Sequence, residues 1–109
     1  MCAIPIRLFG AFLLLATAPS LRAAEEKFSE EDYLENSASI IAAQDFCGFV
    51  VDEAAVKAYV AARLPDMAWE LYAAKINGTR RILPRFTDEM KERNCARWRV
   101  MARSAGWTR

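Results

Sequence analysis

Histidine is absent from this chain of 109 residues, which also contains only three cysteines, four glycines and four prolines. Without histidine, neither a Ser-His-Asp nor a Cys-His catalytic arrangement can form. The chain also lacks a Cys-X-X-Cys motif, a glycine-rich phosphate loop and a dinucleotide-binding fingerprint. Adjacent carboxylates occur, but they stand at predicted helix starts, where the helix dipole accounts for them. We therefore expect no enzymatic activity, no metal site and no cofactor.

Residues 1–24 have the pattern of a secretory signal peptide. Arg7 provides a positive charge, residues 8–18 (LFGAFLLLATA) form an uncharged apolar run, and small residues follow at Ala23 and Ala24. The apolar run is shorter than the roughly 20 residues that a membrane-spanning helix needs. We predict cleavage after Ala23 or Ala24, export to the periplasm or the cell exterior, and no transmembrane span in the mature chain. An uncleaved anchor, or a core helix of a cytosolic protein, is the alternative interpretation.

Two of the three cysteines, Cys47 and Cys95, remain after loss of this leader. An oxidising compartment then permits one intramolecular disulfide. The closed loop would hold about 49 residues counting both ends, and the chain-entropy model predicts a stabilisation of about 4 kcal/mol. A small domain buries a modest core, so a covalent crosslink is a common means of stabilising it. The alternatives are a metal-ligand pair and a redox-active thiol, which the missing histidines and Cys-X-X-Cys motif disfavour.

Sparse glycine and proline, abundant alanine and the lack of alternating apolar and polar residues favour helices over strands. Residues 25–109 therefore predict a single all-α domain, a small four-helix bundle crosslinked by Cys47 and Cys95. Ser29 and Asp32 have the spacing of a capping box before the first helix. The predicted helices span residues 30–47, 53–64, 66–77 and 88–105.

Glycine residues stand where three of these helices are predicted to end, at Gly48, Gly78 and Gly106. Glycine adopts the left-handed conformation that closes a helix without a steric penalty. Pro65 separates the second and third helices and is tolerated in the first turn of the third. After Gly106, Trp107 is predicted to fold back against the last helix in a Schellman motif.

The third predicted helix carries large apolar residues nearly all the way round its axis. A helix with this pattern lies at the centre of a fold or faces a partner, and core packing is the more common outcome. It is nevertheless the best indication of a binding surface in the sequence. The candidate partner contacts are Met67, Trp69, Tyr72 and Ile76.

Charge is segregated along the chain. Residues 25–53 hold nine acidic side chains and one basic, whereas residues 79–109 hold three acidic and nine basic. Because the disulfide would bring the first helix against the last, we predict that opposite charges face each other across that contact. The alternative is binding to an anionic surface such as lipopolysaccharide, phospholipid or nucleic acid, although no motif specific for nucleic acid is present. The candidate anion contacts are Arg80, Arg81, Arg85, Arg97, Arg99 and Arg103.

These features lead to one principal functional hypothesis and two alternatives. The principal hypothesis is a small exported, non-catalytic protein that binds another protein as an inhibitor, an immunity-type partner or an accessory subunit, with a homodimer as one arrangement. The first alternative is a periplasmic acid-stress chaperone, in which protonation of the acidic first helix weakens its attraction to the last. The second alternative is a protein that binds an anionic surface or ligand.

Overall fold

The computed structural model describes residues 27–108, and the predicted leader at residues 1–24 lies outside them. The prediction of an all-α fold is confirmed, since the described part of the chain is mostly helical and contains no β-strand. None of the described helices combines the length and the hydropathy that a membrane span requires. The elements are α1 (Glu30–Ala42), α2 (Gln44–Cys47), α3 (Glu53–Arg63), α4 (Trp69–Ile82), a 3-10 turn (Leu83–Arg85) and α5 (Asp88–Ser104).

The predicted capping box begins α1. The Asp32 N–H donates to Ser29 Oγ at 3.0 Å, and the Ser29 N–H donates to Asp32 Oδ2 at 2.9 Å. The bond from the Ser29 backbone N–H, followed by a weaker contribution of the Ser29 hydroxyl, stabilises the charged carboxylate and holds the pKa of Asp32 below its ordinary value of 3.8. Asp52 and Thr87 cap α3 and α5 by accepting a backbone N–H of the first turn.

The first predicted helix, residues 30–47, is interrupted at Ala43, so it forms two elements. The Gln44 side chain stabilises this break. Its amide donates to the Ile41 carbonyl at 3.1 Å and to Glu53 Oε2 at 2.9 Å, while its oxygen accepts from the Val51 N–H at 2.8 Å. One side chain thus joins the end of α1 to the start of α3, a tertiary interaction that helical periodicity does not contain.

The third predicted helix, residues 66–77, is displaced toward the C-terminus. Pro65 stands in a turn closed by the Met67 N–H, which donates to the Leu64 carbonyl at 3.0 Å, and α4 begins afterwards at Trp69. The predicted stop at Gly78 is wrong, because α4 continues through it to Ile82. Glycine costs only about 1 kcal/mol in a helix, and the buried side chains on both sides of Gly78 outweigh that cost.

The last helix ends in the Schellman motif predicted for it. Gly106 has a φ of 78°, and the Trp107 N–H donates to the Ala102 carbonyl at 2.8 Å. The Trp107 side chain is buried, and its carbonyl accepts from the Asp52 N–H at 2.7 Å. The C-terminal segment is therefore part of the packed domain and holds the α2–α3 connector in place.

The core is built around α1, which packs against α3, α4 and α5. Ile40 and Ile41 of α1 are fully buried together with Val56 and Val60 of α3 and Met101 of α5. Burial of side chains of this size stabilises the fold by about 1.5–3 kcal/mol each. Because α1 takes part in each extensive contact between two α-helices, it positions α3 and α4 relative to each other.

The predicted disulfide between Cys47 and Cys95 is present and joins the end of α2 to the middle of α5. The two Cα atoms lie 5.4 Å apart. Cys95 is buried and Cys47 is partly exposed. Arg99, one turn beyond Cys95, donates from Nη2 to the Cys47 carbonyl at 2.7 Å, so that a charge-assisted hydrogen bond reinforces the covalent link.

Candidate functional site

One apolar surface is a groove between α3 and α4, called here the α3–α4 groove. It has a volume of about 450 Å³. Exposed alanines form its α3 side, and they share one face because they recur at helical spacing while the valines of α3 face the core. The lining residues are Ala54, Lys57, Ala58, Ala61, Trp69, Tyr72, Ala73 and Ile76.

The base of this groove is rigid because its aromatic residue is held by the core. The Tyr72 hydroxyl donates to Ser37 Oγ at 2.8 Å, and Ser37 Oγ donates to the Leu34 carbonyl at 3.1 Å. Burial raises the pKa of Tyr72 above its ordinary value of 10.0, although the hydrogen bond with Ser37 opposes the shift. The Trp69 ring meets Tyr72 edge to face at a centroid distance of 5.2 Å and remains 39% exposed at the groove rim.

The four predicted partner contacts therefore occupy different environments. Tyr72 and Ile76 are mainly core residues whose edges reach the base of the α3–α4 groove. Trp69 is exposed at its rim. Met67 is half-buried and lines other grooves, on the opposite side of α4. Three of the four therefore meet at the α3–α4 groove, whereas Met67 lies outside it and shares the groove between α1 and α4 with Tyr72.

A second apolar surface, the Leu71 patch, consists of Leu64, Met67 and Leu71. Leu71 is 70% exposed and Leu64 is 40% exposed. All three residues line both a groove of about 320 Å³ between α1 and α4 and a groove of about 410 Å³ along the loop that precedes α4. Each groove also has one acidic and one basic residue in its lining. These pairs are Glu35 with Lys75, and Asp66 with Arg63.

The predicted attraction between the first and last helices is present without an ion pair, because the charge of Arg97 on α5 adds to the Ser29 hydrogen bonds in lowering the pKa of Asp32 on α1. Among residues 27–108, one ion pair joins α1 to α3 and another lies within α5, and neither joins α1 to α5. A hydrogen bond between uncharged groups links these helices instead, from Trp98 Nε1 to Asn36 Oδ1 at 3.1 Å. The guanidinium of Arg97 lies 5.0 Å from the centroid of the Phe28 ring.

The six arginines predicted as anion contacts are distributed over three elements with different surroundings. Arg99 is hydrogen-bonded to the Cys47 carbonyl. Arg80 lines a groove together with Asp45 and Glu53. A backbone carbonyl and two carboxylates thus compete with any added anion, and the prediction gains no support from this geometry. The remaining four, all exposed, are Arg81 on α4, Arg85 on the 3-10 turn, and Arg97 and Arg103 on α5.

Residues 27–108 contain no cluster of three or more cysteine, aspartate or glutamate residues able to hold a metal ion. The sequence did not predict the alanine face of the α3–α4 groove, because alanine indicates helix formation and not a binding surface. A signal was present in the spacing of Ala54, Ala58 and Ala61, which recur opposite the buried Val56 and Val60. An exposed face made of small residues allows another backbone to approach closely.

Comparison with protein-family models, with curated proteins and with solved structures finds no match for this chain. Its function is therefore inferred from the two apolar surfaces and their charges.

Proposed function

We propose that the mature chain is an exported, non-catalytic protein that binds a helix of another protein in the α3–α4 groove. The exposed groove itself carries the proposal, because small alanine side chains of α3, the partly exposed Trp69 ring and the buried Tyr72 line it together. An amphipathic helix that places its apolar face in a hydrophobic groove is a recurrent mode of protein recognition. Such binding would suit an inhibitor, an immunity-type partner or an accessory subunit.

The dimensions of the groove favour a helix as the occupant. Ala54 and Ala61 are seven residues apart, which is about 10 Å along α3 and about two turns of an opposing helix. The exposed alanines present only a methyl group, so a partner backbone can approach more closely than it could over longer side chains. Trp69 lines the same groove and offers the kind of large aromatic anchor that often dominates binding energy.

Charge at the groove defines the partner further. Lys57 is the charged residue of the lining. A cation at the edge of an apolar groove attracts a carboxylate that flanks the apolar face of the partner, and this contact contributes to association rate and orientation. The proposed partner therefore has leucine-like residues at helical spacing with an aspartate or glutamate beside them.

Two neighbouring alanines of α4 provide a matched test. Ala73 lines the groove, whereas Ala74 is exposed and does not line it. Wild type, Ala73→Arg and Ala74→Arg would each be immobilised and incubated with envelope extract of the exporting cell at neutral pH. We expect one stoichiometric protein to bind wild type and Ala74→Arg, and to bind Ala73→Arg at least about tenfold more weakly, which is about 1.4 kcal/mol.

The captured protein would then be sequenced, and a photoreactive residue at position 58 would map its contact. Equal capture by all three variants would refute the groove as the binding site. Capture of no protein would refute the protein-binding function. Retention of many proteins at acidic pH alone would favour the chaperone alternative instead.

A further inference from the structure

The Leu71 side chain points away from the α3–α4 groove, although Tyr72 borders both that groove and the groove beside Leu71. Leu71 and Ala73 are two residues apart on α4, and a separation of about 200° at 100° per residue places them on opposite faces. Leu71 is the most exposed of the large hydrophobic residues described, at 70%. Leu71 thus projects beside two apolar grooves and is not an isolated apolar residue on a polar surface.

The Leu71 patch has the features of a surface that can bind a second copy of itself. It contains both a protruding side chain, Leu71, and an adjoining apolar groove between α1 and α4 whose lining includes Leu34, Ala38 and Tyr72. A two-fold axis through the patch would place the protruding leucine of each copy at the groove of the other. Isologous contacts of this kind are the commonest interfaces among soluble oligomers, because one surface supplies both halves.

The charges at the rim agree with a second copy as the occupant. Glu35 and Lys75 line the α1–α4 groove, and Asp66 and Arg63 line the groove beside it. Each rim therefore carries both signs, and neither has the single sign that would select an acidic or a basic partner. In a two-fold arrangement Glu35 of one copy faces the partner's Lys75, and the reciprocal pair forms at the same time. Arg63 already contacts Glu30 of its own chain at 2.7 Å, which leaves Glu35 and Lys75 as the pair to test.

We propose that a second copy of the chain docks on the Leu71 patch and forms a two-fold dimer. Leu71 of each copy enters the α1–α4 groove of the other, and Glu35 pairs with the partner's Lys75. This inference does not depend on the proposed function, since Leu71, Glu35 and Lys75 do not line the α3–α4 groove, although Tyr72 borders both grooves.

Sedimentation equilibrium of the mature, oxidised chain over a range of concentrations tests the dimer. We expect wild type to dimerise and Leu71→Glu to be monomeric. Val100→Glu is the control, because Val100 is an exposed apolar residue of α5 outside the patch, and it is expected to dimerise like wild type. Circular dichroism would establish that each variant keeps its helix content, as expected for substitutions at exposed sites.

A charge exchange tests the pairing. Glu35→Lys and Lys75→Glu are each expected to raise the dissociation constant at least about tenfold, because each places like charges in contact. The double variant is expected to restore dimerisation, which a merely structural effect of either substitution would not do. A monomeric wild type, equal loss in Leu71→Glu and Val100→Glu, or no recovery in the double variant would overturn the proposal.

Two further measurements separate this proposal from the proposed function. Ala73→Arg is expected to dimerise normally, and Leu71→Glu is expected to keep the captured protein partner. A monomer that binds phospholipid vesicles through Leu71 would assign the patch to a membrane surface and would also overturn the dimer.

Discussion

Reduction of the Cys47–Cys95 disulfide is expected to lower the free energy of unfolding by about 4 kcal/mol. The two cysteines are 48 positions apart, so the bond closes more than half of the described chain into a loop. For a loop of this length the chain-entropy model assigns about 14 cal/mol/K to the restriction of the unfolded chain, which is about 4 kcal/mol near room temperature. Typical domains have a total stability of about 5–15 kcal/mol, so the crosslink is a large share of it.

The folded state should change little when the bond is reduced. Cys95 is buried on α5, and Arg99 still donates to the Cys47 carbonyl, so α2 keeps its position without the covalent link. The effect is therefore expected mainly in the unfolded state, where the chain becomes free to expand. The dependence of the unfolding free energy on urea concentration should rise at the same time, because a less compact unfolded chain exposes more surface.

The assay is reversible unfolding followed by circular dichroism, on the oxidised chain and on the same chain reduced by a phosphine. For a domain of this size, about 4 kcal/mol corresponds to a fall in Tm of about 20 °C or more. Comparing the two redox states of one sequence excludes the packing change that a cysteine substitution would introduce. The Cys47→Ala, Cys95→Ala double variant, treated with and without reductant, controls for other effects of the phosphine. A loss below about 1 kcal/mol would refute the loop-entropy explanation.

Two further predictions concern hydrogen bonding and backbone conformation. Tyr72→Phe removes the bond to Ser37 and should cost about 1 kcal/mol at neutral pH. Burial raises the folded-state pKa of Tyr72, so its contribution is present below the unfolded pKa of about 10 and is lost as pH rises through the folded value. Alkaline urea titrations should therefore show a smaller loss of stability above that pH in the variant than in wild type. Gly106→Ala should lower the free energy of unfolding by about 1–2 kcal/mol, because Gly106 has a φ of 78°. Gly78→Ala should raise it by about 0.5–1 kcal/mol, because Gly78 lies inside α4 and the nearest atom to the new methyl group is on Arg81 at 4.0 Å. Opposite shifts in Tm would check both. Equal signs for the two glycines would contradict this reasoning.

The helix ends that agree with the sequence are those set by local chemistry. Ser29 and Asp32 satisfy each other within one turn, and Gly106 with Trp107 completes a motif six residues long. The covalent framework was equally predictable, since loss of the predicted leader would leave two cysteines, which allow one intramolecular pairing. In each case the deciding interaction lies within a few residues or follows from composition.

The wrong boundaries arose where a distant contact outweighed local propensity. Gly78 was predicted to end a helix, yet buried residues on both sides keep α4 continuous. The residues after Pro65 were predicted to begin that helix, but Pro65 lies in a turn that the hydrogen bond from Met67 to Leu64 closes. Ala43 has strong helix propensity and still lies at a break, which the three hydrogen bonds of Gln44 stabilise. For residues other than proline, an intrinsic propensity of at most about 1 kcal/mol is smaller than the free energy of such contacts.

The sequence alone determined that this chain is helical, that one disulfide closes it and where most helices are capped. Composition, cap residues and cysteine number are local or countable properties, and they act in any arrangement of the helices. Only the tertiary structure decided that α1 and α5 meet without an ion pair, that Met67 and Trp69 belong to different surfaces, and that alanines of α3 form a groove with α4. Periodicity specifies a face of each helix, but the angles at which helices pack decide which faces become core, groove or exposed patch.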